Sequence, residues 1–232
     1  MTMSRLGALA SPDVAALAAG GTVLAVPLGS TEQHGPHLPL STDTDIALAL
    51  CEQLALRRDV LVAPAVPYGS SGEHAGFAGT VSIGQAALEL LLVELCRSAT
   101  DTFGRVLLVS GHGGNAEPMA RAVQLLRSEG RDVLAYSPRW EGDPHAGRPE
   151  TALQLALHPD RVLMARAEPG DLRPLQQSLP LLRAGGMHAV SENGILGDPR
   201  GATAEEGAGL LEALSVDLTR AVDRWLESGG PL

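Results

Sequence analysis

The sequence predicts an α/β fold, a three-layer αβα sandwich on a mainly parallel sheet. Short apolar runs alternate with longer segments of helical periodicity, and the turns between them are short. The runs are apolar throughout, as in strands buried on both faces, where a sheet with one wet face would alternate. No internal repeat or low-complexity linker divides the 232 residues, so one domain over 1–232 is expected.

The first strand is Thr22–Leu28, a continuous apolar run. A polar loop follows, and helical periodicity runs from about Asp43 to Arg58, with Ser41, Thr42 or Asp43 available as N-cap. Asp59–Ala63 reads as a second strand, 64–79 as a loop punctuated by Gly and Pro, and Thr80–Ile83 as a short strand. Gln85–Thr100 is helical and Arg105–Ser110 is another buried strand. The turn Gly111-His-Gly-Gly-Asn leads into a helix from about Ala116 to Glu129, and Asp132–Tyr136 is a further strand. Trp140–Pro149 is a loop before a helix from Glu150 to about Leu157. Residues 167–198 show no assignable pattern. The last helix runs from about Thr203 to Leu226, and Thr203 with Glu206 has capping-box spacing.

Composition narrows the function. Hydrophobic residues make up 44% and aromatics only 3%, so the core is built from Ala, Leu and Val. The net charge of −10, with every cation an arginine and no basic patch, argues against nucleic acid or an anionic membrane as partner. No apolar run is long enough to span a bilayer. The Ala-rich N-terminal segment has Arg5 as its only basic residue and is interrupted by Asp13, which does not fit a signal peptide, so a cytoplasmic location is expected. Cys51 and Cys96 sit in Leu-rich helical segments and read as buried thiols.

In such a fold ligands bind beyond the carboxyl ends of the strands. The loops 29–43 and 111–115 fall there and hold His34, His37 and His112 with Glu32 and Asp43. Glu32 and His34, two residues apart, face one side in extended backbone. Asp43 can bridge two cations with its two oxygens, or serve simply as a helix N-cap. Mixed imidazole and carboxylate donors suit Zn²⁺, Mn²⁺ or Fe²⁺. A cation there would lower the pKa of a water and polarise a carbonyl. Gly111-His-Gly-Gly-Asn-Ala116 also matches a dinucleotide fingerprint, but the acidic residue wanted at the end of the next strand is missing: Asp132 begins that strand and Tyr136 ends it.

Four motifs, in order, carry a family resemblance. They are Pro27-Leu-Gly-Ser-Thr-Glu-Gln-His-Gly-Pro-His-Leu-Pro-Leu with Thr42-Asp43, then Gly111-His-Gly-Gly-Asn115, then His145-Ala-Gly with Glu150-Thr151, then Gly197-Asp-Pro with Gly201-Ala-Thr-Ala-Glu-Glu-Gly207. From about residue 22 to 207 the chain resembles the creatininase family. The resemblance implies an αβα fold, a homo-oligomer (a hexamer or similar) and hydrolysis of a carbon–nitrogen amide bond at a centre of one or two metals. It implies Fe²⁺ or Zn²⁺, with Mn²⁺ also suited, held by Glu32, His34, Asp43 and His112, Asp43 bridging. In creatininase a glutamate two residues after the loop histidine completes the second site. Here that place is Gly114, which counts against creatinine as substrate and is expected to leave room for a larger amide. Glu150 is the candidate replacement ligand, with a role in catalysis beside His145, and equally fits as a first-turn helix carboxylate. His145 matches a family histidine near the substrate and would pass a proton to the leaving amine. Ser71, Glu73 and His74 read as a substrate-facing loop or a plain turn. His37 is expected behind the ligands, and His158, before Pro159, is expected to be structural; His188 fits either role.

Within the family, Tyr68-Gly-Ser-Ser-Gly-Glu-His-Ala-Gly-Phe-Ala-Gly-Thr-Val-Ser-Ile-Gly84 and Arg183-Ala-Gly-Gly are most similar to the subgroup of mycofactocin biosynthesis. That subgroup releases a modified Val–Tyr-derived unit from the C-terminal end of a precursor peptide, which implies a modified precursor peptide as substrate. The alternative is a small-molecule amidohydrolase or deformylase acting on a cyclic amide or formamide.

Overall fold

The computed structural model describes residues 5–228. Its sheet consists of β1 (Val23–Leu28), β2 (Val60–Val62), β3 (Arg105–Ser110) and β4 (Asp132–Tyr136), in the order β2-β1-β3-β4. All three pairings are parallel, so the carboxyl ends of the strands share one edge. The central pair, β1 and β3, ends with Leu28 opposite Ser110.

Among the described residues seven α-helices surround the sheet: α1 (Ser11–Ala19), α2 (Thr42–Ala55), α3 (Gln85–Thr100), α4 (Ala116–Ser128), α5 (Arg148–Leu157), α6 (Leu175–Gly185) and α7 (Ala204–Glu227). The pleat of β1 sorts the layers. Leu24, Val26 and Leu28 pack with Leu88, Leu92 and Cys96 of α3, with Met119 and Leu126 of α4, and with Leu17 of α1. Val23 and Ala25 point the other way, against Ile46 and Leu50 of α2, Leu153 of α5 and Leu218 of α7. Both faces are thus covered, as the continuous apolar runs require. Leu88 and Leu92 recur at helical spacing and are fully buried, each stabilising the fold by about 2 kcal/mol relative to exposure. Cys51 and Cys96 are free and buried, as expected.

The differences from the sequence reading have local causes. The unassigned Ala-rich segment forms α1, with Pro12 in its first turn. Val81 makes a single antiparallel bridge to Thr31, so 80–83 is not a ladder strand. Part of 167–198 forms α6 despite Pro180 inside it. Asp43 does not cap α2: the helix begins at Thr42 behind Ser41, and the Asp43 carboxylate leaves the helix for the site described below. The capping box of α7 forms, with Thr203 Oγ1 accepting from Glu206 N at 3.2 Å. No helix among the described residues is long and apolar enough to cross a membrane.

Candidate metal centre

The polar loops at the ends of β1, β3 and β4 meet at the carboxyl edge of the sheet. Asn115 ties the first two together: its Nδ2 donates to Gly29 O at 3.0 Å and its Oδ1 accepts from Ser70 N at 2.9 Å. Gly111 lies against the backbone of Asp43, where any Cβ would collide with the Asp43 carbonyl. That contact brings the β3 turn onto the start of α2 and sets His112 beside Asp43.

Three groups of donor atoms result: Glu32, His34 and His145 form one, and the other two share Asp43. In one, His112 Nδ1 lies 3.2 Å from Glu32 Oε2 and 3.3 Å from Asp43 Oδ2. In the other, His34 Nε2 lies 3.2 Å from Asp43 Oδ1 and 3.9 Å from Glu150 Oε2. Each imidazole is held from behind. His112 Nε2–H donates to Ser70 O at 3.0 Å, and His34 Nδ1–H to Glu32 O at 3.2 Å, leaving Nδ1 of one and Nε2 of the other facing the carboxylates. Fixing the far nitrogen to a carbonyl is how proteins orient ligating histidines. Ser30 Oγ–H donates to Asp43 Oδ2 at 2.5 Å.

The donors fit a cation on one further observation. Glu32 is wholly buried, and neither of its carboxylate oxygens meets a donor in hydrogen-bonding alignment. A buried carboxylate that meets imidazoles at 3.2 and 3.3 Å but accepts no aligned hydrogen bond is costly. A divalent cation among Glu32, Asp43 and His112, and another among His34, Asp43 and Glu150, would satisfy these atoms. The cation-free electrostatics show the same demand. Burial works against the charged form of His34, but Asp43 and Glu150 outweigh it and raise its pKa to about 10. His112 is likewise raised well above the usual range by Glu32 and Asp43 against the effect of burial. Burial and Asp43 push Glu32 upward, yet His112 and His34 hold it at about 2. In the cation-free site, protons on His34 and His112 supply the positive charge that these carboxylates attract.

His145 and Glu150 belong to these groups and also face the loop around Ala146. Gln33, which sequence reasoning passed over, organises them: its Nε2 donates to Gly194 O and to His74 Nδ1, both at 2.9 Å. With both amide protons so used, His145 Nε2–H is the donor to Gln33 O at 3.0 Å. His145 Nδ1 is then unprotonated, 3.8 Å from Glu32 Oε1. Burial first, then the neighbouring His34, keeps His145 neutral far below its ordinary pKa. Glu150 Oε2 accepts from Ala146 N at 2.6 Å. Burial, reinforced by Asp43 and Glu32, lifts Glu150 to about 7 against the pull of His34. Ala146, between these two groups, has φ 51°, a conformation that non-glycine residues rarely adopt and that concentrates at functional sites.

The remaining predicted residues divide. Glu73 and His74 line the cavity, with His74 Nε2 3.3 Å from Glu32 Oε1. Ser71 does not line it: the residue is fully buried, with its N–H on Ser82 Oγ at 2.9 Å. Gly114 offers no spare room, because a Cβ there would meet the His112 ring, the Ser70 carbonyl and Glu73. His37 lies behind the candidate ligands, paired with Thr151 Oγ1 at 2.9 Å. His158 closes α5 as its C-cap, and His188 stacks on Phe77 with centroids 3.8 Å apart. A cavity of about 770 Å³ opens onto Asp43, His112, His145 and Glu150, and α6 adds Leu175, Leu179 and Leu182 to its wall.

Comparison with known proteins agrees with this architecture. The family model described as creatininase, creatinine amidohydrolase, matches residues 7–222. The mycofactocin precursor peptide peptidase of Mycolicibacterium smegmatis is 52% identical over 209 residues, covering 86% of this chain and 84% of that protein. Its counterpart from Mycobacterium tuberculosis (strain CDC 1551 / Oshkosh) is 47% identical, covering 95% and 92%. Among solved structures, a creatininase designated Mn superposes with a TM-score of 0.81 at 28% identity, covering 96% of this chain and 98% of the other. A creatininase variant of Zn–Zn type gives 0.80 at 28% identity, covering 95% and 97%.

Proposed function

The chain belongs to the creatininase family and is a hydrolase of amide bonds, and from that premise we propose that it is the peptidase releasing the modified C-terminal Val–Tyr-derived unit from the mycofactocin precursor peptide. The carrying observation is a donor set divided by Asp43 into two halves, opening on a cavity of about 770 Å³. That volume is generous for a small cyclic amide and in the range of sites that enclose larger ligands. The identity to two peptidases of that name supports the same substrate.

Glu32, Asp43 and His112 would hold one divalent cation, and His34, Asp43 and Glu150 a second. Fe²⁺ and Zn²⁺ are the metals proposed, with Mn²⁺ also compatible; the Mn and Zn forms of solved relatives support a transition metal in general. When bound, the metal supplies Lewis acidity, polarising the scissile carbonyl and lowering the pKa of the attacking water. His145 takes up a proton at Nδ1 and delivers it to the leaving nitrogen; its Nε2–H bond to Gln33 O keeps that atom free. Glu150, which burial lifts to about 7 in the cation-free site, is proposed as a ligand of the second cation and, beside His145, as a catalytic carboxylate. The enzyme acts as one domain over 1–232, in the cytoplasm, as a homo-oligomer of six or a similar number.

The test is incubation of metal-loaded enzyme with the modified peptide and, separately, with creatinine, following products by mass spectrometry. Release of the terminal unit with creatinine untouched is expected. Creatinine turnover with the peptide intact would overturn the substrate assignment and leave the amide-hydrolase chemistry standing.

A further inference from the structure

The chain carries a net charge of −10, yet the cavity wall holds two arginines that nothing neutralises. Most other arginines are matched, as Arg58 is with Asp223, Arg97 with Glu129 and Arg148 with Glu206; among the described residues, those without a carboxylate, Arg127, Arg166, Arg220 and Arg224, lie outside the cavity. Among the described residues, Arg139 and Arg183 meet no carboxylate, though both line the cavity beside the candidate metal centre. Arg139 lies in the loop after β4, and Arg183 in the last turn of α6. The acidic groups of the same cavity are engaged otherwise. Glu117 pairs with Arg121 at 3.2 Å, Glu73 faces His112 at 3.5 Å, and Asp43 and Glu150 belong to the metal centre.

A carboxylate approaching this protein meets net repulsion at long range, and an unpaired guanidinium reverses the sign locally. Guanidinium presents a planar fork of donors that matches a carboxylate in two-point contact. The two groups reach the cavity from independent elements, the sheet edge and α6. We propose that Arg139 and Arg183 recognise a carboxylate of the peptide substrate, so that the cavity selects an acidic peptide. The carboxylate belongs either to acidic side chains ahead of the scissile bond or to a free C-terminus. This inference rests on the peptidase reading and adds to it the charge of the peptide.

Calorimetric binding to the metal-loaded enzyme tests it. The probe is an unmodified decapeptide ending in Val-Tyr with two glutamates ahead of them. Three counterparts have both glutamates replaced by glutamine, the C-terminus amidated, or both changes. At low ionic strength the acidic peptide should bind roughly tenfold more tightly than the doubly neutralised one. The single changes show which carboxylate is read. In the Arg139→Gln/Arg183→Gln variant the preference should shrink to within about twofold, while Arg166→Gln, outside the cavity, should retain it. Equal binding of all four peptides, or a preference that survives in the double variant, would overturn the assignment. Hydrolysis of the modified peptide is followed separately. Hydrolysis without charge preference removes this inference alone, whereas charge preference without hydrolysis removes the peptidase reading and leaves the binding site.

Discussion

The rings of His34 and His145 lie 4.4 Å apart, centroid to centroid, yet the protein holds them in opposite protonation states. His34 faces Asp43 and Glu150 and keeps its proton to about pH 10 in the absence of metal. His145 is equally buried but faces no carboxylate so closely, and the charge on His34 disfavours a second cation beside it. A cation bound at His34 would preserve that asymmetry. One imidazole therefore sits where positive charge is favoured, and the other stays neutral with Nδ1 unprotonated.

Replacing His145 by alanine should accordingly leave metal content unchanged and lower kcat by about 10²–10⁴. Metal analysis beside steady-state kinetics on the modified peptide checks this. His145 Nδ1 also lies near Glu32, and the two group with His34 as possible ligands. Loss of metal in His145→Ala matching that in His112→Ala would make it a ligand and remove the division of roles.

Asp43 contributes one oxygen to each of two donor clusters, so its removal should act on both at once. Asp43→Asn is expected to abolish metal binding and to lower activity by a hundredfold or more, on the order of losing the charge stabilisation that metal provides. Glu32→Gln and Glu150→Gln should each empty one position. If the site holds two ions, metal-to-protein ratios near one for each single variant and near zero for Asp43→Asn would show the sharing. Identical ratios in all three would argue for a single undivided site.

Metal binding should release protons, because His34 and His112 are protonated at neutral pH in the cation-free site. Apparent affinity should rise about tenfold per pH unit for each proton displaced, up to the folded pKa of the group. The metal-free protein should show the opposite trend. With a folded pKa near 10 against an ordinary 6.5, protonated His34 contributes stability that is fully present below about pH 6.5 and is lost as pH rises to 10. Titrations in buffers of different ionisation enthalpy measure the release, and urea denaturation of metal-free protein measures the stability. Metal uptake without proton release at pH 7 would contradict the electrostatic picture.

The convergence of Glu32, His34, Asp43 and His112 was legible because they lie in two short loops at adjacent strand ends, where topology leaves little choice of direction. The strands read correctly for a related reason: runs such as 105–110 are apolar on both faces, and in the structure both faces are covered. What sequence could not supply was contact between distant segments. Gln33 lies between two candidate ligands and, by strand alternation, belongs on the opposite face. The loop is not a regular strand, and the Gln33 side chain bonds residues 74 and 194 instead. Ser71 looked exposed in a Gly-rich turn, but its burial depends on the fold of 69–84 around Ser82. Helix α6 stayed hidden because Pro180 interrupts its sequence pattern.

Gly114 shows where local sequence logic reverses. A glycine at the place of a metal-binding glutamate suggests vacant space, but that space belongs to other groups. A Cβ on Gly114 would collide with His112 Nε2 and Ser70 O, the pair that orients the His112 ring, and would lie 2.7 Å from Glu73 Oε1. Gly114→Glu therefore should not install a working second ligand. It should rotate His112 away from Glu32 and Asp43 and set a second carboxylate against Glu73, whose pKa burial already raises. Overpacking of this kind costs about 2 kcal/mol, or a fall in Tm of roughly 4–8 °C for a chain of this size. Metal content should drop, and creatinine should remain a non-substrate. Adding Glu73→Ala relieves the charge clash but not the collision with Ser70, so metal should return only in part. A Gly114→Glu protein with full metal, unchanged Tm and creatinine turnover would show that the loop yields to the side chain, and that substrate choice rests on this one carboxylate.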